Sequence, residues 1–569
     1  MAQTLITITI QSRHLHFPVK NGNPRVKLQL LLGGLVVREF DIELATGEGE
    51  PGHPVDWWAF YDVSAFTGQP VSIQVVDEEL SETVREWLEG ALQQSDGLLG
   101  AADLYVERYR PQFHFTPRRG WNNDPNGLVY VQGEWHLYYQ HNPFGTGWGN
   151  MHWGHAVSKD LVEWQELPEA LYQKSLADMA FSGGGLIDLA NTAGFKSGSE
   201  DPLVVAFTSS GRGECLAYSL DRGRTFHEYT GNPFLTHHGR DPKIIWYEPD
   251  QKWVMILYEE LAGPGAGSNA GDTADSFGYA IYDSPDLKHW TRRDFLPGFY
   301  ECPELFELPV VGQPDVKKWV VHGTAVDKYR SAFMIGSFDG MKFTPEMESA
   351  QAHYGPHFYA AQIFNQAPGR RCILIGWLTG AAYPDMPFSQ GMTVPLELSL
   401  HETSSGIRLF FYPVEELSQL HTGQISGSHL DLTAANKLLA SAPGELFDLN
   451  LCLQPQTRAP VSLTVGAESI TYDPSAETLS FAGQTAHLEP ASGGLALRVL
   501  VDRSVMEVFA NQGEAAFSAM TLFPDGPRKM ALEGDVAVPS LTIHTLRSIW
   551  GHRSQVELAG SGQYASQLT

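Results

Sequence analysis

The amino-acid sequence predicts an all-β protein: a five-bladed β-propeller followed by a C-terminal β-sandwich, with an extra N-terminal β-rich domain carrying one helix. Three observations predict this fold. Short alternating or apolar runs recur along the chain, amphipathic stretches of helical period are nearly absent after residue 110, and a weak repeat returns about every 55 to 60 residues. The expected division is 1–105, 106–420 and 421–550, with a flexible tail at 551–569.

The N-terminal part contains strand-forming stretches and one candidate helix. The strand-forming stretches are TLITITI, VKLQLLLGGLVVREFDIEL and PVSIQVVDE. SETVREWLEGALQQS predicts a helix with Ser81 as its N-cap. Gly-rich SDGLLGAAD then marks a boundary. A sugar-binding module, an oligomer contact and packing support all remain open as roles for this domain.

The middle part repeats a strand, a turn and an aromatic strand. One blade of a propeller has about this length, so five copies predict five blades. A helical solenoid is the alternative, and the scarcity of helical periodicity disfavours it. The copies begin at PNGLVYV, GGGLIDL, DPKIIWY, CPELFEL and AAQIFNQ. After LFFYPVEELSQL, short strands such as GSHLDLTAAN, VSLTVGAESITYD and ALRVLVDRSVMEVFAN predict a β-sandwich.

Composition excludes several classes of function. Lys and Arg number 38 and Asp and Glu 66, which gives a net charge of −28 with His neutral. This charge disfavours binding to nucleic acid or to anionic membranes. The four cysteines are scattered and no His cluster has metal spacing, so we expect no metal and no cofactor. Without an apolar run of about 18 residues or a secretory leader, we expect no membrane span and a cytoplasmic location, or an extracellular one if a leader was removed.

Three acids occupy nearly equivalent positions in three repeats. Asp124 and Asp241 each precede a proline, and Glu301 precedes Cys302-Pro303, just ahead of an innermost strand. Such strands line one funnel, so we expect the three carboxyls to meet at its mouth. A lone Asp-Pro is usually only a turn, and the shared register is what favours a site over that alternative. Paired carboxylates are what glycoside hydrolysis needs, and a third acid can bind sugar hydroxyls.

Nearby aromatic and polar side chains fit a sugar site. Flat aromatic faces for a sugar ring are predicted at Trp121, Trp148, Trp153 and Phe181, and hydrogen-bonding groups at Asn123, Gln140 and His152. By contrast, Trp135, Tyr138 and Tyr139 are predicted to belong to the core, and Cys302 to be a small buried residue rather than a nucleophile.

At these residues the sequence resembles glycoside hydrolase family 32, the invertases, inulinases and levanases. The similar motifs are WNNDPNG (121–127, with Asn122 where the family usually has Met), FSGG (181–184), Arg240-Asp241-Pro242, Glu301-Cys302 and VDRSVMEVF (501–509). The chain departs from the family at Leu396, where many members have Arg, and in its N-terminal domain.

The resemblance implies a role for each candidate residue. Asp124 would be the nucleophile, Glu301 the general acid/base and Asp241 the transition-state stabiliser, with Arg240 supporting Asp241. The pocket for the terminal fructose would be shaped by Asn123, Gln140, Trp148, Phe181, Ser182 and Trp377. In a retaining enzyme the nucleophile and acid/base carboxyls should lie roughly 5–5.5 Å apart.

The expected function is a retaining β-fructofuranosidase acting on a fructose-containing saccharide. A fructosyltransferase that passes the same covalent intermediate to a sugar is the alternative, and residues outside the fructose pocket would decide between them. A non-catalytic carbohydrate-binding protein is disfavoured by the complete set of acids. Segments such as GNMHWGHAVSKDLVEW resemble exo-acting levanases and inulinases more than plant invertases. The sequence does not specify the preferred fructan or the oligomeric state.

Overall fold

The computed structural model is mostly β, as the sequence predicts. It describes residues 3–47, 55–76, 81–261, 276–325, 330–380, 383–489 and 494–550. The predicted flexible tail, 551–569, lies outside the described residues. Within the described ranges, no helix is both long and apolar enough to span a bilayer.

The N-terminal region folds into two sheets and one helix around its own apolar core. The predicted helix is α1 (Glu82–Ala91), and the Ser81 side chain caps it by accepting from Val84 N at 3.3 Å, which confirms the expected N-cap. Gly33 and Gly34, both with positive φ, form the tight turn of one hairpin. The strands are β1 (Gln3–Thr9), β2 (His14–Val19), β3 (Val26–Leu32), β4 (Leu35–Ile42), β5 (Trp57–Asp62), β6 (Pro70–Val76) and β7 (Gln93–Ser95), in sheet orders β1-β6-β3-β4 and β5-β2-β7.

The middle region begins with three successive antiparallel sheets whose strands follow chain order. Many of these strands are buried along their whole length, as expected of sheets packed on both faces. The first sheet has β8 (Gly120–Val131), β9 (Glu134–Asn142), β10 (His152–Ser158) and β11 (Trp164–Leu171); the second β12 (Ala180–Ile187), β13 (Leu203–Ser209), β14 (Gly213–Ser219) and β15 (His227–Glu228); the third β16 (Gly239–Tyr247), β17 (Lys252–Glu260), β18 (Phe277–Ser284) and β19 (Thr291–Pro297).

Two further groups of strands complete the middle region and join in one continuous sheet. The fourth group is β20 (Phe299–Val310), β21 (Gln313–Ala325), β22 (Ser331–Phe338), β23 (Phe343–Pro345) and β24 (Ala350–Gln351); the fifth is β25 (Tyr359–Ile363), β26 (Ile373–Leu378), β28 (Gly391–Met392), β29 (Leu396–Thr403) and β30 (Gly406–Pro413). The short strand β27 (Phe388–Ser389) lies between β26 and β28 in the chain but belongs to the first sheet. Leu396, at the departure from the family pattern, is fully buried in apolar core.

The leading strands of the five groups contact one another in a closed ring. β8 contacts β12 and β25, β16 contacts β12 and β20, and β20 contacts β25. The backbones of β8 and β12 approach closely at Gly185. A Cβ at this position would lie 2.4 Å from Gly127 O, so any residue other than glycine would clash there. The β27 strand pairs in parallel with β8, so the end of this region returns to its beginning.

The C-terminal region contains two antiparallel sheets that share one apolar core. One prediction here was wrong: GSHLDLTAAN is not wholly strand, because α2 (Leu432–Ala440) begins after Asp431, whose side chain accepts from Ala434 N at 2.8 Å. The strands are β31 (His421–Leu430), β32 (Phe447–Pro455), β33 (Val461–Val465), β34 (Glu468–Asp473), β35 (Thr478–Phe481), β36 (Gln484–His487), β37 (Leu495–Val501), β38 (Val505–Ala510), β39 (Ala515–Met520), β40 (Met530–Glu533) and β41 (Val536–Leu546).

Candidate active site

The leading strand of every group in the ring carries a β-bulge near its start. A bulge re-aims side chains that regular pairing would send to one face or the other. Asp124, Asp241 and Glu301 lie in three of these register shifts, and Ser182 and Ala361 lie in the other two. The equivalence of the three acids is therefore present in the structure. The shifts fall between Asn122/Pro125, Ala180/Gly183, Arg240/Lys243, Tyr300/Glu304 and Tyr359/Gln362.

The backbone at three bulges is held in the left-handed region. Asp241 has φ +65°, Cys302 +55° and Ala360 +48°. Each such non-glycine residue costs on the order of 1 kcal/mol or more, and such conformations persist where the surrounding structure enforces them, often at functional sites. The strands around these three bulges thus impose backbone conformations that the residue types do not favour.

Asp124 is held by two hydrogen-bond donors. The Ser182 hydroxyl donates to Oδ2 at 2.5 Å, and Asn123 Nδ2 donates to Oδ1 at 3.1 Å. The Asn123 amide is in turn fixed by Trp121 Nε1, which donates to its Oδ1 at 3.0 Å. Burial raises the pKa of the Asp124 carboxyl to about 6; the Ser182 bond opposes this rise and the charge of Glu301 adds to it. Asp124 therefore ionises above the usual range of a carboxyl.

Asp241 is the more deeply buried acid and lies beside Asp124. Cys302 donates to Asp241 Oδ2 from its backbone N at 3.1 Å and from its Sγ at 3.6 Å. Carboxylate oxygens of Asp124 and Asp241 and the Cys302 sulfur lie within 4.8 Å of one another. Burial, with the charge of Glu301, raises the pKa of Asp241 to about 8. Burial also raises the pKa of the Cys302 thiol well above its usual value, so this thiol stays protonated, as expected of a buried residue that is not a nucleophile.

Glu301 receives hydrogen bonds on both carboxylate oxygens. Arg240 Nε donates to Oε1 at 2.8 Å, joined by Arg240 Nη2, and the Tyr359 hydroxyl donates to Oε2 at 2.7 Å. The resemblance implied that Arg240 supports Asp241, but its hydrogen bonds go to Glu301 and, at 3.0 Å, to the Tyr300 hydroxyl. Asp241 is affected by Arg240 through its charge, which partly offsets the rise in the Asp241 pKa.

Two of the predicted pocket aromatics, exposed Trp148 and half-buried Phe181, form what we call the exposed rim. A third, Trp377, packs against side chains that hold the acids. Trp148 is 51% exposed, and its ring meets that of Phe181 edge-on at 6.1 Å. Trp377 packs edge-on at 6.0 Å against both Trp121 and Tyr359. Its Nε1 is buried without a hydrogen-bond partner among the described residues. A ligand hydroxyl would satisfy such a donor.

Other predicted sugar contacts lie in the interior. Gln140 is buried, and its Nε2 donates to Ala180 O at 2.9 Å, which ties the first sheet to the second. Trp153 and His152 were expected to face a sugar, but both are at most 1% exposed; Trp153 Nε1 donates to Phe181 O at 2.9 Å and supports the rim from beneath. The prediction that Trp135, Tyr138 and Tyr139 belong to the core is confirmed, since none exceeds 4% exposure.

Sequence reasoning missed Tyr359, Tyr300 and Tyr279. Tyr279 donates its hydroxyl to the backbone carbonyl of Glu301 at 2.8 Å and so fixes the strand that carries this acid. Tyr359 stands one residue before the fifth repeat copy, so alignment of all five copies by their bulges would have found it. Tyr300 directly precedes Glu301, and only its contact with Arg240 distinguishes it from a core aromatic.

Comparison with known proteins identifies a family over most of the middle and C-terminal regions. The model of the glycosyl hydrolases family 32 N-terminal domain matches residues 114–413, and that of the family 32 C-terminal region matches 416–544. A levanase of Bacillus subtilis is 37% identical over 512 residues, covering 79% of this chain and 72% of that protein. An extracellular exo-inulinase of Aspergillus niger is 30% identical over 533 residues, covering 78% of this chain and 96% of that protein.

Solved structures share the fold. The crystal structure of an exo-inulinase from Aspergillus awamori matches with a TM-score of 0.68 at 28% identity, covering 78% of this chain and 100% of that one. A β-fructofuranosidase from Schwanniomyces occidentalis, complexed with fructosyl-erythritol, matches with a TM-score of 0.68 at 25% identity, covering 79% of this chain and 99% of that one. The chain therefore belongs to glycoside hydrolase family 32 and is a glycoside hydrolase similar to levanases and exo-inulinases.

Proposed function

We propose that the protein is a retaining β-fructofuranosidase that releases terminal β-fructosyl units from fructans, fructo-oligosaccharides or sucrose. The observation that carries this proposal is the meeting of Asp124, Asp241 and Glu301 at equivalent bulges, each with its own hydrogen-bond partners. Levanase and exo-inulinase relatives at 37% and 30% identity support the substrate class.

Asp124 is proposed as the nucleophile. Its carboxylate attacks C2 of the fructosyl unit while the bond from C2 to the leaving oxygen breaks, and Glu301 gives that oxygen a proton. A covalent fructosyl-enzyme results. Glu301 then takes a proton from water, whose oxygen bonds to C2, and Asp124 leaves as a carboxylate. Atoms and charge balance over the two steps, with one water molecule as the only co-reactant.

Glu301 suits a group that both gives and takes a proton. Arg240 donates to one oxygen of its carboxyl group, and Tyr359 donates to the oxygen that Arg240 does not contact. Burial and the Glu301 charge raise the pKa of Tyr359, so its hydroxyl stays a donor through the reaction. Asp241, fixed by Cys302, would accept hydrogen bonds from sugar hydroxyls that strengthen as positive charge develops at C2.

The architecture proposed around this site is a five-bladed propeller, 106–420, followed by a β-sandwich, 421–550, with a separate N-terminal domain, 1–105. The closed ring of contacts among the five leading strands supports the propeller, because the innermost strands of propeller blades line a central channel. The two C-terminal sheets around one core support the sandwich.

Product analysis tests this function directly. The enzyme would be incubated separately with levan, inulin and sucrose, and the products separated by chromatography over time. Free fructose as the first and main product from a polymer would support exo-hydrolysis. A disaccharide that accumulates would indicate that the enzyme releases two sugar units at a time, as a biohydrolase does. Longer saccharides formed at high sucrose concentration would favour the fructosyltransferase, and no released fructose from any substrate would contradict the proposal.

We expect kcat/KM to fall as pH decreases through about 6. Below about 6, the pKa of Asp124, the nucleophile gains a proton and cannot attack. Initial rates at low sucrose concentration would measure the profile, with the folded fraction checked at each pH. A profile that is flat from pH 5 to pH 7 would contradict this assignment.

A further inference from the structure

Both aromatic residues of the exposed rim stand on segments that dock against the N-terminal region. Trp148 lies between β9 and β10, and Phe181 is the second residue of β12, which follows residues 172–179. Both segments contact β4, the outermost strand of the four-stranded N-terminal sheet. An edge strand offers unpaired backbone N–H and C=O groups, which other parts of a chain can satisfy. We refer to this strand as the β4 edge.

Asn150 pairs with the β4 edge as another strand would. Its Oδ1 accepts from Asp41 N at 2.9 Å, and its Nδ2 donates to Asp41 O at 2.8 Å. The side chain is 1% exposed, and its Nδ2 also lies 3.0 Å from Asn142 Oδ1. A buried amide that satisfies both backbone groups of one residue leaves little freedom for the chain two residues away, at Trp148.

Two more contacts hold the segment that carries Trp148, one at Phe144 and one at the backbone carbonyl of Trp148. Phe144 is fully buried in the N-terminal apolar core and stacks on Phe40, with ring centroids 3.7 Å apart and planes 9° apart. Arg25 places both Nη atoms 3.4 Å from Trp148 O. A Cβ on Gly149 would come within 3.0 Å of the Arg25 guanidinium, so glycine there permits its approach.

The second segment, residues 172–179, contacts Glu39, which lies two residues before Asp41 on the β4 edge. Gln173 Nε2 donates to Glu39 O at 2.6 Å, and Leu176 N donates to Glu39 Oε1 at 3.1 Å. Gln173 is 3% exposed, so this contact is also desolvated. The segment runs on to Phe181 and to Ser182, the donor to Asp124.

We infer that the β4 edge positions the Trp148–Phe181 rim and so sets how tightly the site binds its sugar, with Asn150 and Arg25 as positioning residues. The inference rests on the proposed function for its substrate and adds a role for the N-terminal region, which lies outside both family-matched ranges. Neither residue contacts an acid of the site in the described contacts, so the effect should fall on substrate binding rather than on the chemical steps.

The experiment compares KM and kcat for sucrose and inulin in Asn150→Ala and Arg25→Ala, each alone and combined with Trp148→Ala. Asn150→Ala should raise KM on the order of three- to tenfold, the size of one or two lost hydrogen bonds, with kcat changed less than about threefold. Arg25→Ala, on the exposed side, should act in the same direction and less strongly. Both effects should vanish when Trp148 is already Ala, because the rim they position is gone.

Asn436→Ala is the matched control, because Asn436 pairs in the same reciprocal way with the backbone of Leu532 in the C-terminal region. It should lower the melting temperature as Asn150→Ala does and leave KM unchanged. Unchanged KM in both test variants, or an equal rise in the Trp148→Ala background, would overturn the inference while leaving fructose release by the unmodified enzyme intact.

Hydrogen–deuterium exchange tests the docking independently of activity. Asn150→Ala should speed amide exchange in 143–150, and Asn436→Ala should not. If the unmodified enzyme released no fructose, the proposed function would fail, and exchange would still decide whether the β4 edge holds the rim. Unaltered exchange in 143–150 would overturn the inference.

Discussion

Asp124→Asn is expected to lower kcat on the order of 10⁴- to 10⁶-fold, the loss typical of removing a nucleophile that no neighbour can replace. The amide has the size of the carboxylate but cannot form a stable ester with C2. The amide oxygen would keep accepting from Asn123, and the Ser182 hydroxyl can accept from the new amide NH2 in place of donating to it, so the pocket should retain its shape. Single-turnover measurements would separate this loss from any change in substrate binding.

The fold should survive the same change. A carboxyl whose pKa is raised to about 6 in the folded state stabilises the protein below its unfolded pKa and loses that contribution as pH rises through about 6. At pH 7 the unmodified protein therefore carries a buried charge that Asn lacks. We expect an equal or slightly higher melting temperature for Asp124→Asn at pH 7.

An external anion distinguishes a nucleophile from a merely binding carboxylate. In Asp124→Ala, azide has room to attack C2 from the vacated face and should give a fructosyl azide of inverted configuration. Asp160→Asn is the control, because Asp160 accepts backbone and hydroxyl bonds in a turn after β10. It should leave kcat within about twofold. Near-normal turnover by Asp124→Asn would remove Asp124 from the proposed role.

The three acids were predictable because their signal is local and repeated. Asp-Pro or Glu-Cys-Pro ahead of an apolar run marks a strand entry, and three such entries in one register imply one site. The bulges themselves were not predictable, since Asp241 and Cys302 adopt left-handed backbone that no residue type there requires. Their conformation comes from neighbouring strands of the ring.

Contacts between segments far apart in the sequence could not be predicted from local sequence patterns. Asp41 and Asn150 are 109 positions apart, and neither residue type announces the other. The pairing of Arg240 with Glu301 was missed for the same reason, because the two residues are 61 positions apart and the family resemblance implied Asp241 as the partner instead. The α2 helix was missed because its short apolar and Ala-rich run has no strong period, and the cap at Asp431 decides it.

Two residues of the motif VDRSVMEVF, Asp502 and Glu507, form a buried charge cluster with His114. Asp502 and Glu507 are fully buried and lie on either side of His114, at 2.8 Å from Nδ1 and 3.2 Å from Nε2. Asp502 also accepts from the backbone N of Gln112 and Phe113, at 2.7 and 2.9 Å. Burial would lower the pKa of His114, but the two carboxylates outweigh it and raise that pKa to about 9. The cluster thus joins the start of the middle region to the C-terminal sheets.

Asp502→Ala should cost about 3–5 kcal/mol of unfolding free energy, because it leaves one side of a buried imidazolium and four backbone donors without their acceptor. The pH dependence carries a signature. A His whose folded pKa is about 9 contributes fully below its unfolded value near 6.5, and that contribution declines as pH rises from about 6.5 to about 9. Denaturant unfolding of the unmodified protein should show this decline, and Asp502→Ala should flatten it.

Asp525→Ala provides the matched control, because Arg108 and Asp525 join the same two regions at 3.1 Å on the surface, with side chains 53% and 74% exposed. An exposed pair of this kind contributes about 0–1 kcal/mol, so its loss should barely change stability and should leave the slope between pH 6.5 and 9 as it was. Equal destabilisation by the two variants would mean that the buried imidazolium contributes no more than a surface ion pair. If the free energy of unfolding of Asp502→Ala showed the same pH dependence as that of the unmodified protein, His114 would be neutral in the folded protein. Only a charged His114 makes the contribution of this cluster to stability decline as pH rises.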